Sequence, residues 1–278
     1  MWCIPSSFKP IGQQASAHAI IGAVRDGSLI PRFGRARRDP AIAVLEGFHP
    51  VKHALRFGAR LDELVTRDAA ALARLAEALA PDVAEPLRAA REVDPELFER
   101  LAPLPPSTGV MALAARPRLD PAGVLSSPVT APLVLLENPR DLGNLGACVR
   151  VAAGAEAAAV LSTGSHDPWH PDALRGSAGL HFALPVMRLG SLAALDGSSR
   201  PLLAMDPDGE DLDPRRLPAE AILAFGTERD GLSDGLLARA DGRLRIPMRS
   251  GVSSLNLATS VAAVLFAYRL AGAGAPPR

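Results

Sequence analysis

Cysteine is almost missing. The 278-residue chain has two, Cys3 and Cys148, neither in a CxxC pair, which leaves no basis for a disulfide scaffold or a thiolate zinc site. Cys148 lies inside an apolar helix pattern and reads as a small buried hydrophobe. Lysine is as scarce, because 28 of the 30 basic residues are Arg in a chain rich in Ala, Gly and Pro. No run of 18 apolar residues occurs, which excludes a membrane-spanning helix. The first 30 positions lack a basic start followed by an apolar segment and a small-residue cleavage site, so a cytoplasmic, membrane-free location is the expectation. No GxGxxG follows the first strand pattern of the second half, which sets aside an ordinary dinucleotide fold. His166 and His170 flank Asp167, but the Asp, Pro and Trp around them read as a loop before a helix, and no metal site is expected.

Net charge is also missing, with 30 basic against 30 acidic side chains. That argues at first sight against a nucleic-acid partner. The distribution argues for one: residues 1–60 carry nine Lys or Arg against three Asp or Glu, and the remainder carries the opposite excess. Asymmetry of this kind favours phosphate contact at the basic end. Within it, Arg32, Arg35, Arg37 and Arg38 surround Phe33, an arrangement that suits phosphates and an unstacked base, or else a solvated basic linker.

What is present is a long α/β alternation, enough chain for one large or two ordinary domains. Residues 1–39 read as a basic extension with one short helix around 15–25. Residues 40–118 read as a compact α/β unit: strands at 41–45, 61–66 and 109–115, and helices at 50–57, 69–80 and 94–101, the last capped by Asp94 with Pro95 in its first turn. Residues 119–131, rich in Pro and Gly, read as a linker. From 132 to 278 strands are expected at 133–136, 160–162, 182–186, 202–205, 222–225 and 244–246, with helices or loops between, which implies a parallel sheet covered on both faces. The acidic segment 206–214 reads as a solvated loop.

Two apolar runs near the end, 221–225 and 244–248, each stop abruptly in a turn rich in Gly, Ser and charge, and a helix pattern follows with Leu257, Val261, Val264, Leu265 and Tyr268 at spacings of three and four. Ligands of open parallel sheets sit beyond the carboxyl ends of the strands, where both turns belong.

The segments GTERDGLS, RIPM and SSLNLATSVAA resemble, in order and spacing, the last two motifs of the SpoU (TrmH-type) RNA ribose 2′-O-methyltransferases of the SPOUT superfamily. NLGACVRVA, residues 144–152, resembles the first motif, and RGSAG, 175–179, followed by LPV fits the pattern between the first and second. Together these cover about half of the chain. EGFHPVKHAL, ARLDELV and STGVMALAARP resemble, more weakly, the ribosomal-protein-like substrate-binding domain that precedes the catalytic domain in many such proteins. The resemblance implies a carboxyl-terminal parallel-sheet α/β domain tied into a trefoil knot, and a smaller amino-terminal α/β RNA-binding domain. Knots are otherwise nearly absent from proteins, so nothing else in the sequence suggests one.

The same resemblance implies S-adenosylmethionine as cofactor, no metal, RNA as substrate with ribosomal RNA ahead of transfer RNA, and a homodimer whose subunits both contribute to the substrate site. The family's polar site maps onto Asn144, Arg150, Glu228, Ser254 and Asn256. Cofactor contacts map onto Ala224, Phe225, Gly226, Glu228, Gly231, Ile246, Pro247, Met248, Ser254, Leu255 and Asn256. Candidate RNA contacts are Arg32, Arg35, Arg37, Arg38, Lys52, Arg150 and Arg175. One departure stands out: Ser253 occupies a position where the family usually has an acidic residue. A ribose hydroxyl is a poor nucleophile until its proton leaves, and Arg150 is the family's candidate base. A guanidinium stays protonated in nearly all settings, so an electrostatic role on the developing alkoxide and the adjacent phosphate is physically simpler. The rival reading is a non-catalytic RNA-binding protein of the same fold.

Overall fold

A computed structural model describes residues 28–227 and 230–272. The helix expected around 15–25, Cys3 and Glu228 lie outside the described residues. Among the described residues two sheets organise the chain, and no helix is long and apolar enough to cross a membrane.

The amino-terminal part carries α1 (Leu29–Ala36), β1 (Ile42–Glu46), α2 (Phe48–Arg56), β2 (Leu61–Thr66), α3 (Ala69–Leu79), α4 (Ala84–Arg88), β3 (Arg91–Glu92), α5 (Pro95–Glu99) and β4 (Val110–Ala115). Its sheet has the order β1-β4-β2-β3, with β4 antiparallel to β1 and to β2. Strand alternation sends Ala43 and Leu45 to one face beside Phe48, Val51 and Leu72, and Val44 to the other beside Leu29, Phe33 and Phe98;. Asp68 and Asp94 start α3 and α5 by accepting backbone N–H bonds from Ala71 and from Glu96 and Leu97;.

The arginine-rich stretch is therefore helical and packed. Phe33 is 0% exposed, so it cannot stack on a base, which corrects that part of the sequence reading. Its apolar partners at 29 and 36 recur at helical spacing and share the buried face;.

The carboxyl-terminal part carries α6 (Pro121–Leu125), β5 (Leu133–Leu136), α7 (Leu142–Gly154), β6 (Ala159–Ser162), α8 (Pro171–Gly176), β7 (Val186–Arg188), β8 (Leu202–Asp211), β9 (Ile222–Phe225), α9 (Asp234–Leu237), β10 (Gly242–Arg245) and α10 (Leu257–Leu270). All six strands pair in parallel, in the order β10-β8-β9-β5-β6-β7. Both faces are covered, because Val134 and Leu136 join the cluster of α7 and α10 while Leu133 and Leu135 join that of α6 and α9.

Three expectations need correction. The strand predicted at 182–186 begins only at Val186, since residues 180–182 form a 3-10 turn that places the Phe182 ring 5.1 Å from Trp169. The acidic segment is not simply a loop: β8 runs to Asp211 and, after a register break, pairs Glu210 and Asp211 with Leu244 and Arg245 of β10. Within the expected linker, α6 buries Val124 and Leu125. The carbonyls after it are held by Arg200, which is 7% exposed and donates to Leu125, Ser127, Val129, Ala131 and Glu220.

The two parts meet along a seam. Arg175 donates to Glu46 at 2.8 Å, and Arg116 reaches Asp167 at 2.7 Å and the Ile42 carbonyl at 2.8 Å. His53 Nδ1 donates to the Ala178 carbonyl at 2.7 Å.

Replacing Arg200 by Met keeps most of the bulk and strips five carbonyls, buried or part-buried, of their donor. Urea unfolding should show a loss of about 3 kcal/mol or more, against a few tenths for an exposed arginine.

Candidate active site

Strands β5 and β9 pair with Leu136 opposite Phe225, so the segments leaving them start side by side. Glu137, the first residue beyond β5, accepts both the backbone N–H and the hydroxyl of Ser233, at 2.7 and 2.6 Å. Arg140 meets Asp230 at 2.7 Å, a pair more than half exposed and therefore weak;. Thr227 and Gly231 exchange both backbone hydrogen bonds at 3.1 Å and close the loop after β9 into a ring. A Cβ on Gly226 would lie 2.1 Å from the Gly231 carbonyl carbon, so only glycine permits the closure.

Two helix starts converge on these loops. Asp141 caps α7 by accepting the Asn144 N–H at 2.6 Å. Asn256 caps α10 through its Oδ1, accepting from Ala258 at 2.9 Å and Thr259 at 3.3 Å. Its other side-chain atom, Nδ2, donates to Asn144 Oδ1 at 3.0 Å. One asparagine thus caps its own helix and staples it to another. The partial positive charge of both helix starts favours oxygen-rich groups at that point.

Between β10 and α10 the backbone is neither strand nor helix. Ile246 packs on the core, whereas Met248 is 36% and Val252 47% exposed. Pro247, Ser253 and Ser254 are exposed and Leu255 is half-buried. A groove of about 530 Å³ lies between α7 and α8, lined by Arg140, Asp141, Gly143, Asp172, Arg175 and Gly176 among others. Among the described residues no group of three or more His, Cys, Asp or Glu is arranged to hold a metal ion.

The structure brings together Asn144 and Asn256, and sets Ala224, Phe225, Gly226 and Gly231 beside the start of α7. Arg150 is not part of that meeting. Six residues beyond Asn144 on α7, it stands roughly 9 Å further along the helix axis, exposed, with His49 and Lys52 of α2 as electrostatic neighbours. Of the other basic candidates, Arg32 is paired with Glu63, and Arg37 and Arg175 share Glu46, while Arg35 and Arg38 are exposed.

The model of the SpoU rRNA Methylase family matches residues 131–266. Over those residues the chain is similar to the SpoU family. An uncharacterized tRNA/rRNA methyltransferase of Mycobacterium tuberculosis is 37% identical over 173 residues, 57% of this chain and 58% of the relative. A 23S rRNA (uridine-2′-O)-methyltransferase of Streptomyces viridochromogenes is 30% identical over 144 residues, 48% of this chain and 50% of the relative. The chain spans 58% of the length of the mycobacterial relatives it matches. Among solved structures, the SpoU methyltransferase AviRb of Streptomyces viridochromogenes in complex with AdoMet superposes with a TM-score of 0.68 at 25% identity, over 90% of this chain and 97% of that one.

Several residues of the SpoU domain that hold the site together were not singled out from the sequence: Glu137, Ser233 and Asp141. Their signals were present, an acidic residue directly after a strand and Ser or Asp directly before a helix. His181 is another. It is fully buried, its Nε2 lies 2.7 Å from the Pro168 carbonyl and its Nδ1 2.7 Å from Ser177 Oγ. A carbonyl only accepts, so Nε2 carries the proton and Nδ1 accepts from the serine. Burial holds its pKa down at about 4.

That depression links stability to acid. An unfolded histidine titrates near 6.5, so below that pH the unfolded state gains a proton the folded state refuses. The contribution is complete above about pH 6.5 and is lost as pH falls towards about 4, for a total of about 3 kcal/mol;. The wild type minus His181→Gln difference in urea stability should shrink by that amount across the window.

Proposed function

We propose that the chain is an S-adenosylmethionine-dependent RNA ribose 2′-O-methyltransferase acting as a homodimer, on ribosomal RNA in preference to transfer RNA. The observation that carries this reading is the Asn256–Asn144 hydrogen bond, which joins the first and last motif segments at the open end of the sheet. The 2′-O specificity draws on the Streptomyces relative named above, and the trefoil knot of the superfamily belongs to the same proposal.

The residues present fit the cofactor. The glycine-only approach of Gly226 to Gly231 leaves bare backbone at the end of β9, and Met248 and Leu255 offer apolar surface on the facing segment. Backbone groups of Ala224, Phe225, Gly226, Ile246, Pro247 and Met248 would hold the adenine between amides and apolar walls. When bound, S-adenosylmethionine supplies an electrophilic methyl group on a sulfonium. The chain's own side chains do the rest. Ser254, Asn256 and Asn144 orient the ribose hydroxyl, and Glu228, by its match to the family motif, buttresses the loop after β9. Arg150 holds the neighbouring phosphate and stabilises the oxygen electrostatically while the hydroxyl proton passes to solvent water.

Arg150 lies apart from the Asn144–Asn256 pair within one chain, and a dimer resolves this. On α10, Ala263, Phe266 and Leu270 make an exposed apolar stripe, Phe266 at 40% and Leu270 at 86%; burial against a second copy would be favourable. In the resulting dimer the Arg150 of each subunit serves the asparagine pair of the other.

Purified protein should transfer labelled methyl groups to ribosomal RNA and bind S-adenosylmethionine by calorimetry; failure of both ends the proposal. Arg150→Ala and Asn256→Ala should each abolish turnover. Co-refolded in equal amounts, they should recover about a quarter of wild-type activity, since half the dimers are mixed and each mixed dimer has one intact site. No recovery, with dimers formed, would mean that each site is built from one subunit.

A further inference from the structure

Helix α2 is fastened to the SpoU domain at backbone level. A Cβ on Gly179 would lie 2.5 Å from the Pro50 carbonyl oxygen, and both Gly179 and Ala178 have positive φ, +78° and +56°. An alanine in that region is strained, and such strain persists only where the surroundings over-determine it. Here it points the Ala178 carbonyl at His53 Nδ1, 2.7 Å away. Residues 180–182 then pack on both α2 and α7, so the two helices are fixed relative to each other.

On α2, His49, Lys52, His53 and Arg56 recur at spacings of three and four and share one face;. His53 is engaged by the seam, and Arg56 makes a two-point pair with Asp82 at 2.6 and 2.7 Å. Lys52 and, on α7, Arg150 form no ion pair with a described carboxylate. Yet their fields overlap. Burial first, then Arg56 and Arg150, lower the Lys52 pKa against an opposing pull from Asp82, and burial, Lys52 and Arg150 lower that of His49. Arginines elsewhere along the seam are neutralised, Arg116 by Asp167 and Arg175 by Glu46. Two cations without an ion pair to a described carboxylate, held on adjoining rigid helices, make a local positive potential that suits an anion.

We propose that Lys52 and Arg150 form one binding site for the RNA phosphate backbone, built across the domain seam within a single protomer. His49 stands beside it as a neutral hydrogen-bonding neighbour. The amino-terminal domain thereby sets the register in which the strand passes the SpoU domain. The identity of the polyanion as RNA rests on the proposed activity; the site itself does not.

The test uses fluorescence anisotropy of the full-length protein with a short labelled single-stranded RNA of mixed sequence, at several salt concentrations. Lys52→Gln should weaken binding and reduce the slope of log affinity against log salt by about 0.7, the share of one phosphate contact. Lys52→Arg should restore the slope, and Arg100→Gln, on the opposite face of the amino-terminal sheet, should leave it unchanged. Cofactor affinity and thermal midpoint of Lys52→Gln should match the wild type. An unchanged slope in a folded Lys52→Gln protein, or no rescue by arginine, overturns the seam site and leaves the methyltransferase reading standing. A protein that transfers no methyl group but keeps the Lys52-dependent slope overturns that reading and leaves the seam site standing.

Discussion

The site depends on the register of two buried strands. In β5 and β9 the runs LVLL and ILAF face each other residue for residue, all eight side chains buried. A slip by one position would turn every side chain of one strand to the wrong face. Both faces are close-packed, so the slip is opposed by misfit, with cavities left on one side and overpacking on the other;. Because the register is fixed, Glu137 emerges where Ser233 can meet it, close to the bridge between Thr227 and Gly231. The polar geometry beyond the sheet is inherited from apolar pairing within it.

The seam adds a second constraint, charged where the first is apolar. Glu46 has 4% side-chain exposure and takes one guanidinium from each part of the chain, Arg37 at 2.6 Å and Arg175 at 2.8 Å. Removing either would leave a poorly compensated buried carboxylate, a far larger penalty than losing a surface pair. Around it, Trp169 donates to the Val186 carbonyl at 2.9 Å and packs on both His181 and Phe182. Charge and aromatic packing together make the seam a fixed joint, which is the condition for groups on α2 and α7 to act on one ligand.

Much of this was legible in the sequence where one force dominates. The strands at 133–136 and 222–225 are short apolar runs between turn residues, and α10 carries its buried positions at helical spacing. The Asp94 cap follows from an Asp-Pro pair before an apolar turn. What escaped was decided by tertiary competition. Phe33 among arginines reads as a nucleic-acid surface until the period joining it to Leu29 and Ala36 is set against a sheet needing cover. Residues 182–186 look like a strand, but Trp169 captures Phe182 and Pro185 offers no N–H to a ladder;. Arg200 could not be found at all, since its five carbonyl partners lie in segments up to 75 residues away. In the site, Asn144 and Asn256 came from motif resemblance, whereas their hydrogen bond came only from the fold.

The balance of charge explains why a neutral chain is compatible with a polyanionic partner. Many arginines are spent internally: Arg32 on Glu63, Arg37 and Arg175 on Glu46, Arg56 on Asp82, Arg116 on Asp167, Arg245 on Asp211. Such pairs cancel at distances beyond the Debye length of about 8 Å at physiological salt, so the molecule has little far field with which to steer RNA. Recognition then draws on cations outside these pairs, Arg35, Arg38, Lys52 and Arg150 among them, acting at contact range. Contact-range electrostatics tolerates little error in position, because the interaction falls steeply once water can enter between the charges. A chain that spends many of its arginines on structure gains a rigid frame, and a rigid frame is what lets Lys52 and Arg150 act on one ligand.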